Sequence, residues 1–221
     1  YPEDFVYTGV NEYLYEGATP FTNDLFSMKY QIFRPYDTKR TEFKLKESIG
    51  NVTVYKNTDK TALAYAMDDM VKTWDYQDYN PFYVQNDLAT RAFDVDELFH
   101  MIETEKPKLN NCKITSDNGD GEYVFENTSA QPDNMVFTIK SSKARQLYVH
   151  FDGSQVENTV IEKNGEQILT GRLDSQIIYL GNVQKGDVIR IKMQLKQDDV
   201  MSGVVRLTAA ELDEEAMEKL A

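Results

Sequence analysis

The chain has few of the residues from which metal centres and catalytic sites are usually built. It contains one cysteine and two histidines in 221 residues. Cys112 cannot form a disulfide bond within the chain, and a single thiolate cannot hold a metal cluster. His100 and His150 lack the spacing of a zinc-binding motif, and we predict that both have structural roles. We expect no metal ion, no cofactor and no complete catalytic site in this chain.

Two further catalytic signatures are missing from the sequence. There is no Gly-x-Ser-x-Gly elbow, and no glycine-rich phosphate loop joins a strand to a helix. A pair of carboxylates for glycoside hydrolysis leaves no mark in a sequence, because the fold sets their separation. With 37 acidic residues in the chain, a hydrolase therefore stays open as an alternative.

Long apolar runs are also missing. The longest, residues 62–67, is far shorter than the roughly 20 residues that cross a bilayer as a helix. The sequence starts with Tyr1 in place of methionine, carries no signal peptide and ends abruptly at Ala221 within a helical pattern. We expect a soluble domain that has been excised from a longer protein.

Basic residues are outnumbered by acidic ones. The 24 Lys and Arg against 37 Asp and Glu give a net charge of −13. This charge repels phosphate backbones and anionic lipid, so we expect neither nucleic-acid binding nor a peripheral membrane footprint. Residues 59–105 carry eleven acidic and three basic residues. This segment is either a solvated acidic face or an acidic cleft for a cation or a polar neutral ligand.

Aromatic residues are abundant, with 14 Tyr, 11 Phe and one Trp, and they favour strands over a helical bundle. In the first half of the chain, alternation predicts a strand at residues 29–33. A hairpin is predicted from residues 43–45 to residues 52–55 around Gly50, and a further buried strand at residues 62–67.

Two helices are predicted near residues 81–103. Asn80 followed by Pro81 is a strong helix start, because Asn caps free amides and Pro suits the first helical position. Asp94 with Glu97 forms a capping-box pattern and predicts a second helix that carries His100. Pro107 marks its exit, and we place the boundary of an N-terminal α+β subdomain, residues 1–106, at this point.

From residue 110 onward, short β-branched or alternating runs recur every 8–12 residues with turn residues between them. The runs are residues 123–125, 135–139, 147–151, 156–161, 176–180, 188–193 and 204–207. They predict an antiparallel β-sandwich or jelly roll over residues 107–211, within a fold that is mostly β and α+β overall. Asn164-Gly165 is the strongest hairpin signal, and residues 212–221 begin a helix capped by Asp213.

The segment at residues 74–83 has five aromatic residues interleaved with amides and acids. Aromatic faces stack on sugar rings while Asp, Asn and Gln bind hydroxyl groups, so this composition suits a glycan. The candidate glycan-binding residues are Trp74, Tyr76, Tyr79, Asn80, Phe82, Gln85 and Asn86. The alternative is that the rings attach a long loop to the sheet and Asn80 only caps a helix.

Several segments resemble the YfhO family of bacterial multi-pass membrane proteins. The clearest is residues 80–88, Asn-Pro-Phe-Tyr-Val-Gln-Asn-Asp-Leu, which resembles the family pattern N-P-F-x-x-Q-N-x-L. Weaker matches are found at residues 22–30, 54–57, 62–65, 147–149, 177–181 and 185–187. The expected Pro and Gly are missing from residues 62–67, so the turn that the family has there is not expected in this chain.

The resemblance implies an outward-facing domain attached to the cell membrane through transmembrane helices that lie outside this chain. It also implies transfer of sugars from polyprenyl-phosphate carriers to envelope polymers such as teichoic acids, with the catalytic acid on a loop of the membrane bundle. The expected partners are a cell-envelope glycan or teichoic-acid-like polymer and the protein's own membrane bundle. The alternatives are a structural or interaction domain that binds no sugar and a secreted carbohydrate-binding module.

Overall fold

The computed structural model describes residues 5–9, 12–15, 18–35, 41–58, 64–76, 78–129, 134–173, 175–196 and 202–220. In chain order the strands are β1 (Phe5–Gly9), β2 (Glu12–Tyr15), β3 (Tyr30–Phe33), β4 (Lys44–Ile49), β5 (Val52–Lys56), β6 (Phe99–Met101), β7 (Glu105–Asn110), β8 (Cys112–Gly119), β9 (Glu122–Asn127), β10 (Asn134–Lys140), β11 (Arg145–Asp152), β12 (Val156–Lys163), β13 (Glu166–Gly171), β14 (Gln176–Val183), β15 (Val188–Leu195) and β16 (Ser202–Leu212). The helices are α1 (Pro20–Leu25), α2 (Pro81–Phe93) and α3 (Glu214–Glu218), with a short 3-10 helix at Asp69–Thr73.

Two large antiparallel sheets form a β-sandwich. One has five strands in the order β13-β12-β15-β10-β7, and the other has the order β14-β11-β16-β9-β8, with β6 also pairing with β16. Burial alternates along β10, where Met135, Phe137 and Ile139 are buried in the core that both sheets share. This period of two arises because successive strand residues point to opposite faces. The predicted fold class, mostly β with an antiparallel sandwich, is confirmed.

The turn chemistry of the sandwich also agrees with the sequence. Asn164 and Gly165 both have positive φ, as a two-residue hairpin between β12 and β13 requires. Each of the seven runs predicted from residue 110 onward lies within a strand. Asp213 caps α3 by accepting a hydrogen bond from the amide of Ala216 at 2.9 Å, as predicted.

A second apolar core covers the outer face of the six-stranded sheet. Phe82 of α2 and Phe99 of β6 pack there with Tyr148, whose ring meets that of Phe99 edge-on at 5.8 Å. Phe21 of α1 and Ala216 of α3 belong to the same cluster. The three helices therefore form a layer on one side of the sandwich.

The second predicted helix is absent, and this prediction was wrong. The chain turns at Asp94, whose backbone adopts the left-handed conformation at φ 53° and ends α2. Val95, Leu98 and Phe99 are buried, but the backbone beyond Asp94 is not helical and His100 lies in β6. The apolar pattern alone does not distinguish a helix from a strand here, because the same side chains can be buried in either conformation. Pairing of β6 with β16 selects the strand.

A small antiparallel sheet with the order β3-β5-β4 precedes α2, and it confirms the predicted strand and hairpin. The predicted strand at residues 62–67 is not found in its described part. Residues 64–67 have no strand structure, whereas Ala62 and Leu63 lie outside the described residues. Strands β1 and β2 form a separate hairpin.

Candidate functional site

Four of the predicted glycan-binding residues have structural contacts that bind α2 to the rest of the fold. Asn80 caps α2 by accepting a hydrogen bond from the amide of Phe82 at 3.0 Å. Phe82 is 0% exposed and lies in the second core. The hydroxyl of Thr19 donates to Oε1 of Gln85 at 2.6 Å. These contacts favour the structural alternative for the segment that begins at Asn80.

Asn86 is the clearest structural side chain of this set. Its Nδ2 donates to the carbonyl of Phe99 at 2.8 Å, while its Oδ1 accepts the amide of Phe99 at 2.7 Å. This pair satisfies both backbone groups of Phe99 as a neighbouring strand would do. The side-chain amide of Asn86 therefore joins α2 to β6, and it makes both of these hydrogen bonds within the protein.

The three aromatic residues before Asn80 are more accessible. Trp74 is half-buried, and its Nε1 is buried without a hydrogen-bond partner in the described part of the chain. The hydroxyl of Tyr76 donates to the carboxylate of Asp78 at 3.2 Å. Tyr79 is 64% exposed, and its ring lies 4.3 Å from the guanidinium carbon of Arg206. Of the seven predicted residues, Tyr79 offers the most surface to a ligand.

An open cleft of about 660 Å³ lies on the outer face of the six-stranded sheet, next to the N-terminus of α2. We name it the outer-face cleft. It is lined by Asn80 and Tyr83 of α2, the segment that joins β6 to β7, the turn between β8 and β9, and residues 207–209 of β16. Asn80 is the one predicted residue in its lining.

The outer-face cleft exists because the six-stranded sheet has a gap beside β16. Strand β9 pairs with β16 only as far as Arg206, and β6 begins to pair at Ala210. Between these points, the amide of Leu207 donates to Gly121 at 3.0 Å, and the carbonyl of Ala209 accepts from Ile102 at 2.8 Å. Thr208 lies between these two backbone contacts, at the floor of the cleft.

The hydroxyl of Thr208 is buried and has no hydrogen-bond partner among the described residues. Buried hydroxyl groups are normally hydrogen-bonded, and leaving one unpaired destabilises the fold by about 1–3 kcal/mol. The register places Thr208 opposite His150, which is also buried. Thr208, which carries this unpaired hydroxyl, is one of the residues that line the outer-face cleft.

Arg206 directly precedes the residues of β16 that line the cleft, at positions 207–209. Its Nε and a terminal guanidinium nitrogen donate to Glu122 and Asp152, each at 2.6 Å. Hydrogen bonds from Asn118 and Arg206 hold the pKa of Glu122 below its usual value, so the carboxylate stays ionised. Charge-assisted bonds of this kind orient the guanidinium under the ring of Tyr79.

Tyr83 and the neighbouring carboxylates set the electrostatics of the cleft. Burial, together with the nearby carboxylates of Asp120 and Asp78, raises the pKa of Tyr83. The Tyr83 hydroxyl therefore stays protonated and can donate a hydrogen bond. The ammonium nitrogen of Lys106 lies 3.6 Å from a carboxylate oxygen of Asp117 and offsets part of the negative charge around the cleft. The cleft presents an aromatic ring, hydroxyl groups and carboxylates, which together suit a neutral or amino-bearing polyol.

Sequence reasoning missed the residues that line the cleft beyond Asn80. Tyr83 belongs to the aromatic segment at residues 74–83 and follows Asn80 by three positions. On a helix this spacing places the two residues on the same side, and it was the one available signal that both line the cleft. Asp120 lies in the turn between β8 and β9, and Thr208 directly follows the predicted run at residues 204–207, so neither carries a local sign of ligand binding. No local pattern shows that β9 and β6 leave a gap beside β16. Among the described residues, no group of His, Cys, Asp and Glu converges to hold a metal ion.

The fold and the cleft define an antiparallel β-sandwich domain with a helical layer over part of one outer face. The chain belongs to the bacterial membrane protein YfhO family, whose sequence profile matches residues 5–220. The resemblance carried by the sequence motifs is thereby confirmed. No curated protein sequence matches the chain. In the described part of the chain, no helix has the length and apolar character needed to cross a bilayer.

Several solved structures are similar to about half of the chain. The Podospora anserina GH26-CBM35 β-(1,4)-mannanase matches at 13% identity and a TM-score of 0.30, covering 50% of this chain and 27% of the mannanase. A family 35 carbohydrate-binding module from Clostridium thermocellum matches at 8% identity and a TM-score of 0.34, covering 51% and 96%. The carbohydrate-binding module CBM36 in complex with calcium and xylotriose matches at 15% identity and a TM-score of 0.29, covering 51% and 100%. TM-scores of this size carry no functional inference.

Proposed function

We propose that this chain is the extracytoplasmic accessory domain of a membrane glycosyltransferase that modifies cell-envelope glycopolymers, and that it holds the glycan acceptor in the outer-face cleft. The observation that carries the binding role is the unpaired, buried hydroxyl of Thr208 at the floor of a cleft with Tyr83 in its wall. Tyr79 stands beside this cleft on Arg206 and supplies the exposed aromatic face.

Sugars need the combination of groups that this cleft brings together. An aromatic ring packs against the C–H face of a pyranose, and hydroxyl and carboxylate groups bind its hydroxyls. Tyr83 supplies a ring in the lining, and Asp120 and Thr208 supply hydrogen-bonding groups there. Tyr79, which precedes the lining residue Asn80, offers a second ring outside the lining. Because the carboxylates repel phosphate, we expect the neutral or amino sugar of an envelope polymer to bind here, and not its phosphate.

Membership in a family of bacterial membrane proteins supports attachment of this domain to a membrane. The motif resemblance adds the expectation of an N-terminal helix bundle that transfers sugars from a polyprenyl-phosphate carrier. In that arrangement the bundle performs the transfer, and this domain positions the acceptor outside the membrane. No catalytic role is proposed for any residue of this chain.

A structural domain that binds no sugar is the second candidate function. It is supported by Phe82, Gln85 and Asn86, whose side chains bind α2 to its surroundings. In this alternative the family motif at residues 80–88 maintains the helical layer, and the domain caps the membrane bundle. A free-standing secreted module has no comparable observation in its favour, since the family consists of membrane proteins.

The test is a titration of the 15N-labelled chain with hexosamines and with teichoic-acid fragments, followed by amide NMR. We expect shifts around Tyr83, Asp120 and Thr208, and about tenfold weaker binding after Tyr79→Ala, because one stacking contact is lost. Tyr30→Ala is the matched control, since Tyr30 is also an exposed tyrosine but lies in the small sheet. A silent titration at saturating ligand, with the protein folded, would favour the structural alternative.

Thr208→Val separates ligand binding from a structural role. Valine has nearly the same shape but no hydroxyl, so the free energy of unfolding should rise by about 1 kcal/mol when no ligand is present. The same substitution should weaken glycan binding, because a bound sugar loses its partner at the floor. A variant that is less stable and binds the glycan unchanged would contradict the role assigned to Thr208.

A further inference from the structure

The small sheet β3-β5-β4 is attached to the rest of the fold by polar contacts at one of its ends. At this end, the amide of Asn57 donates to the carbonyl of Lys29 at 3.0 Å, and its Nδ2 donates to Asp24 of α1 at 2.8 Å. At the other end, the turn at Gly50 joins β4 to β5, and the last pair of residues is Ile49 with Val52. We call this second end the sheet tip.

One face of this sheet carries exposed aliphatic residues near the tip. Residues directly opposite in antiparallel strands share a face, and the register places Ile32 opposite Val54 and Ile49 opposite Val52. Ile32 is 63% exposed and Ile49 is 65% exposed. Ile32 and Ile49 lie on the two outer strands of this sheet, with Val52 and Val54 of β5 between them. Together these aliphatic side chains form an apolar patch that water solvates poorly.

Lysines surround the same face nearer to the attachment. Lys44 lies opposite Lys56, which in turn lies opposite Tyr30, so all three residues share the face of Ile32. The ammonium groups of Lys46 and Lys29 lie 4.9 and 6.0 Å from the centre of the Tyr30 ring. Glu47, opposite Val54, is the acidic residue on this face, and it lies 3.9 Å from the ammonium group of Lys46. The face therefore has aliphatic residues near the tip, lysines around an aromatic residue nearer the attachment, and one carboxylate paired with a lysine.

The charge of this region is opposite to that of the whole chain. Within residues 28–35 and 41–58, five basic residues stand against two acidic residues, whereas the chain as a whole has a net charge of −13. The basic residues are Lys29, Arg34, Lys44, Lys46 and Lys56. A protein with this distribution would approach an anionic surface with the small sheet first, since its other surfaces are repelled.

We propose that the sheet tip docks on the surface of an anionic phospholipid bilayer. Ile32 and Ile49 enter the boundary between headgroups and acyl chains, where apolar side chains gain the burial that they lack in the protein. Lys44 and Lys56 lie about four residues from Val52 along their strands, or roughly 13 Å at 3.3 Å per residue, which places them at headgroup level. Such docking would depart from the expectation that net charge alone sets, because the basic residues are concentrated on this one face.

A bilayer fits this surface better than a protein or glycan partner does. The tip is a projecting end of a sheet, not a groove, and its exposed residues are aliphatic, which do not stack on sugars as aromatic rings do. The lysines on this face match the negative headgroups of an anionic leaflet. Membership in a family of membrane proteins is consistent with a bilayer close to this domain.

The experiment measures binding of the 221-residue chain to vesicles of phosphatidylglycerol mixed with phosphatidylcholine, by sedimentation at low and high salt. Ile32→Ser with Ile49→Ser should abolish binding at low salt, and Lys44→Gln with Lys56→Gln should weaken it by about fivefold per lysine. The matched control is Lys108→Gln with Lys192→Gln, which removes the same charge from exposed positions on the five-stranded sheet. This control should bind as the unchanged chain does.

Binding that disappears at high salt, and that is absent for vesicles of phosphatidylcholine alone, would support the proposal. Equal weakening of vesicle binding in the two double lysine variants would overturn the proposal, since net charge and not this face would then control binding. No binding to the mixed vesicles at low salt would overturn it as well. A dimer in analytical ultracentrifugation that Ile32→Ser with Ile49→Ser converts to monomer would assign the face to a second copy of the chain instead.

Discussion

Amide side chains such as those of Asn80, Gln85 and Asn86 can bind a sugar hydroxyl or the protein's own backbone, and composition does not distinguish the two. In this protein each of them has a partner inside the fold. Tyr79, which precedes the helix, is exposed, and its ring lies over the guanidinium of Arg206. At the scale of single residues, therefore, the predicted segment contains both the attachment of α2 and the edge of a ligand-binding surface.

The two histidines should affect stability in opposite directions as pH changes. Burial lowers the pKa of His150 from 6.5 to about 4, so protonation below pH 6.5 favours the unfolded chain. Stability attributable to His150 is therefore lost as pH falls from about 6.5 to about 4, by about 3 kcal/mol in total. His150→Phe should remove this loss, which urea unfolding at a series of pH values would measure.

His100 serves as the internal comparison for that experiment. A hydrogen bond to Asp213, opposed by burial and assisted by Glu97, raises the pKa of His100. Its contribution is present below its unfolded pKa and is lost as pH rises through its folded pKa. His100→Gln should therefore flatten the stability profile on the alkaline side only. If His150→Phe loses stability at acidic pH as the unchanged chain does, His150 is not the group responsible for that loss.

At the scale of elements, two of the three capping signals in the sequence predicted a helix start correctly, and the third did not. Asn80-Pro81 and Asp213 begin α2 and α3 as expected. The capping-box pattern of Asp94 with Glu97 failed, because Asp94 instead ends α2 in the left-handed conformation. A short polar side chain satisfies backbone groups in either position, so the same residue can begin or end a helix.

The hairpin between β8 and β9 provides a matched pair of glycine substitutions. Gly121 has φ 79°, and an added Cβ would collide with the backbone of Leu207. Gly119 has φ 81° but open space around an added Cβ. Gly119→Ala should destabilise the fold by about 1 kcal/mol from backbone strain alone. Gly121→Ala should cost about 1–3 kcal/mol more and disturb the outer-face cleft, as chemical denaturation and the glycan titration would measure.

At the scale of the whole molecule, the helical layer and the sandwich share the second core. Phe82, Leu98 and Phe99 come before residue 107, whereas Tyr148 and Ala210 come after it. The boundary placed between residues 106 and 107 stays a prediction, although Pro107 lies inside β7 of the five-stranded sheet. A core built from both sides of the boundary means that the two parts stabilise each other.

A fragment of residues 107–211 tests this dependence. It would expose Tyr148 and Ala210, which are 0% exposed in the whole chain, and it would lack β6. We expect loss of the cooperative thermal transition and strong binding of a hydrophobic dye, because the outer face would be open to water. A fragment that melts cooperatively near the temperature of the full chain would instead establish residues 107–211 as an independent domain.

The sequence by itself determined seven of the sandwich strands, the Asn164-Gly165 hairpin, two of the helix caps and the family. These features depend on local chemistry: alternation sets the buried face of a strand, positive φ selects Asn-Gly, and a cap satisfies nearby amides. Only the tertiary structure decided that residues 99–101 form a strand, that Asn86 binds the backbone of Phe99, and that β16 has a gap floored by Thr208. Each of these depends on contacts between residues far apart in the chain, where several pairings bury the same apolar residues and only the assembled sheet selects one.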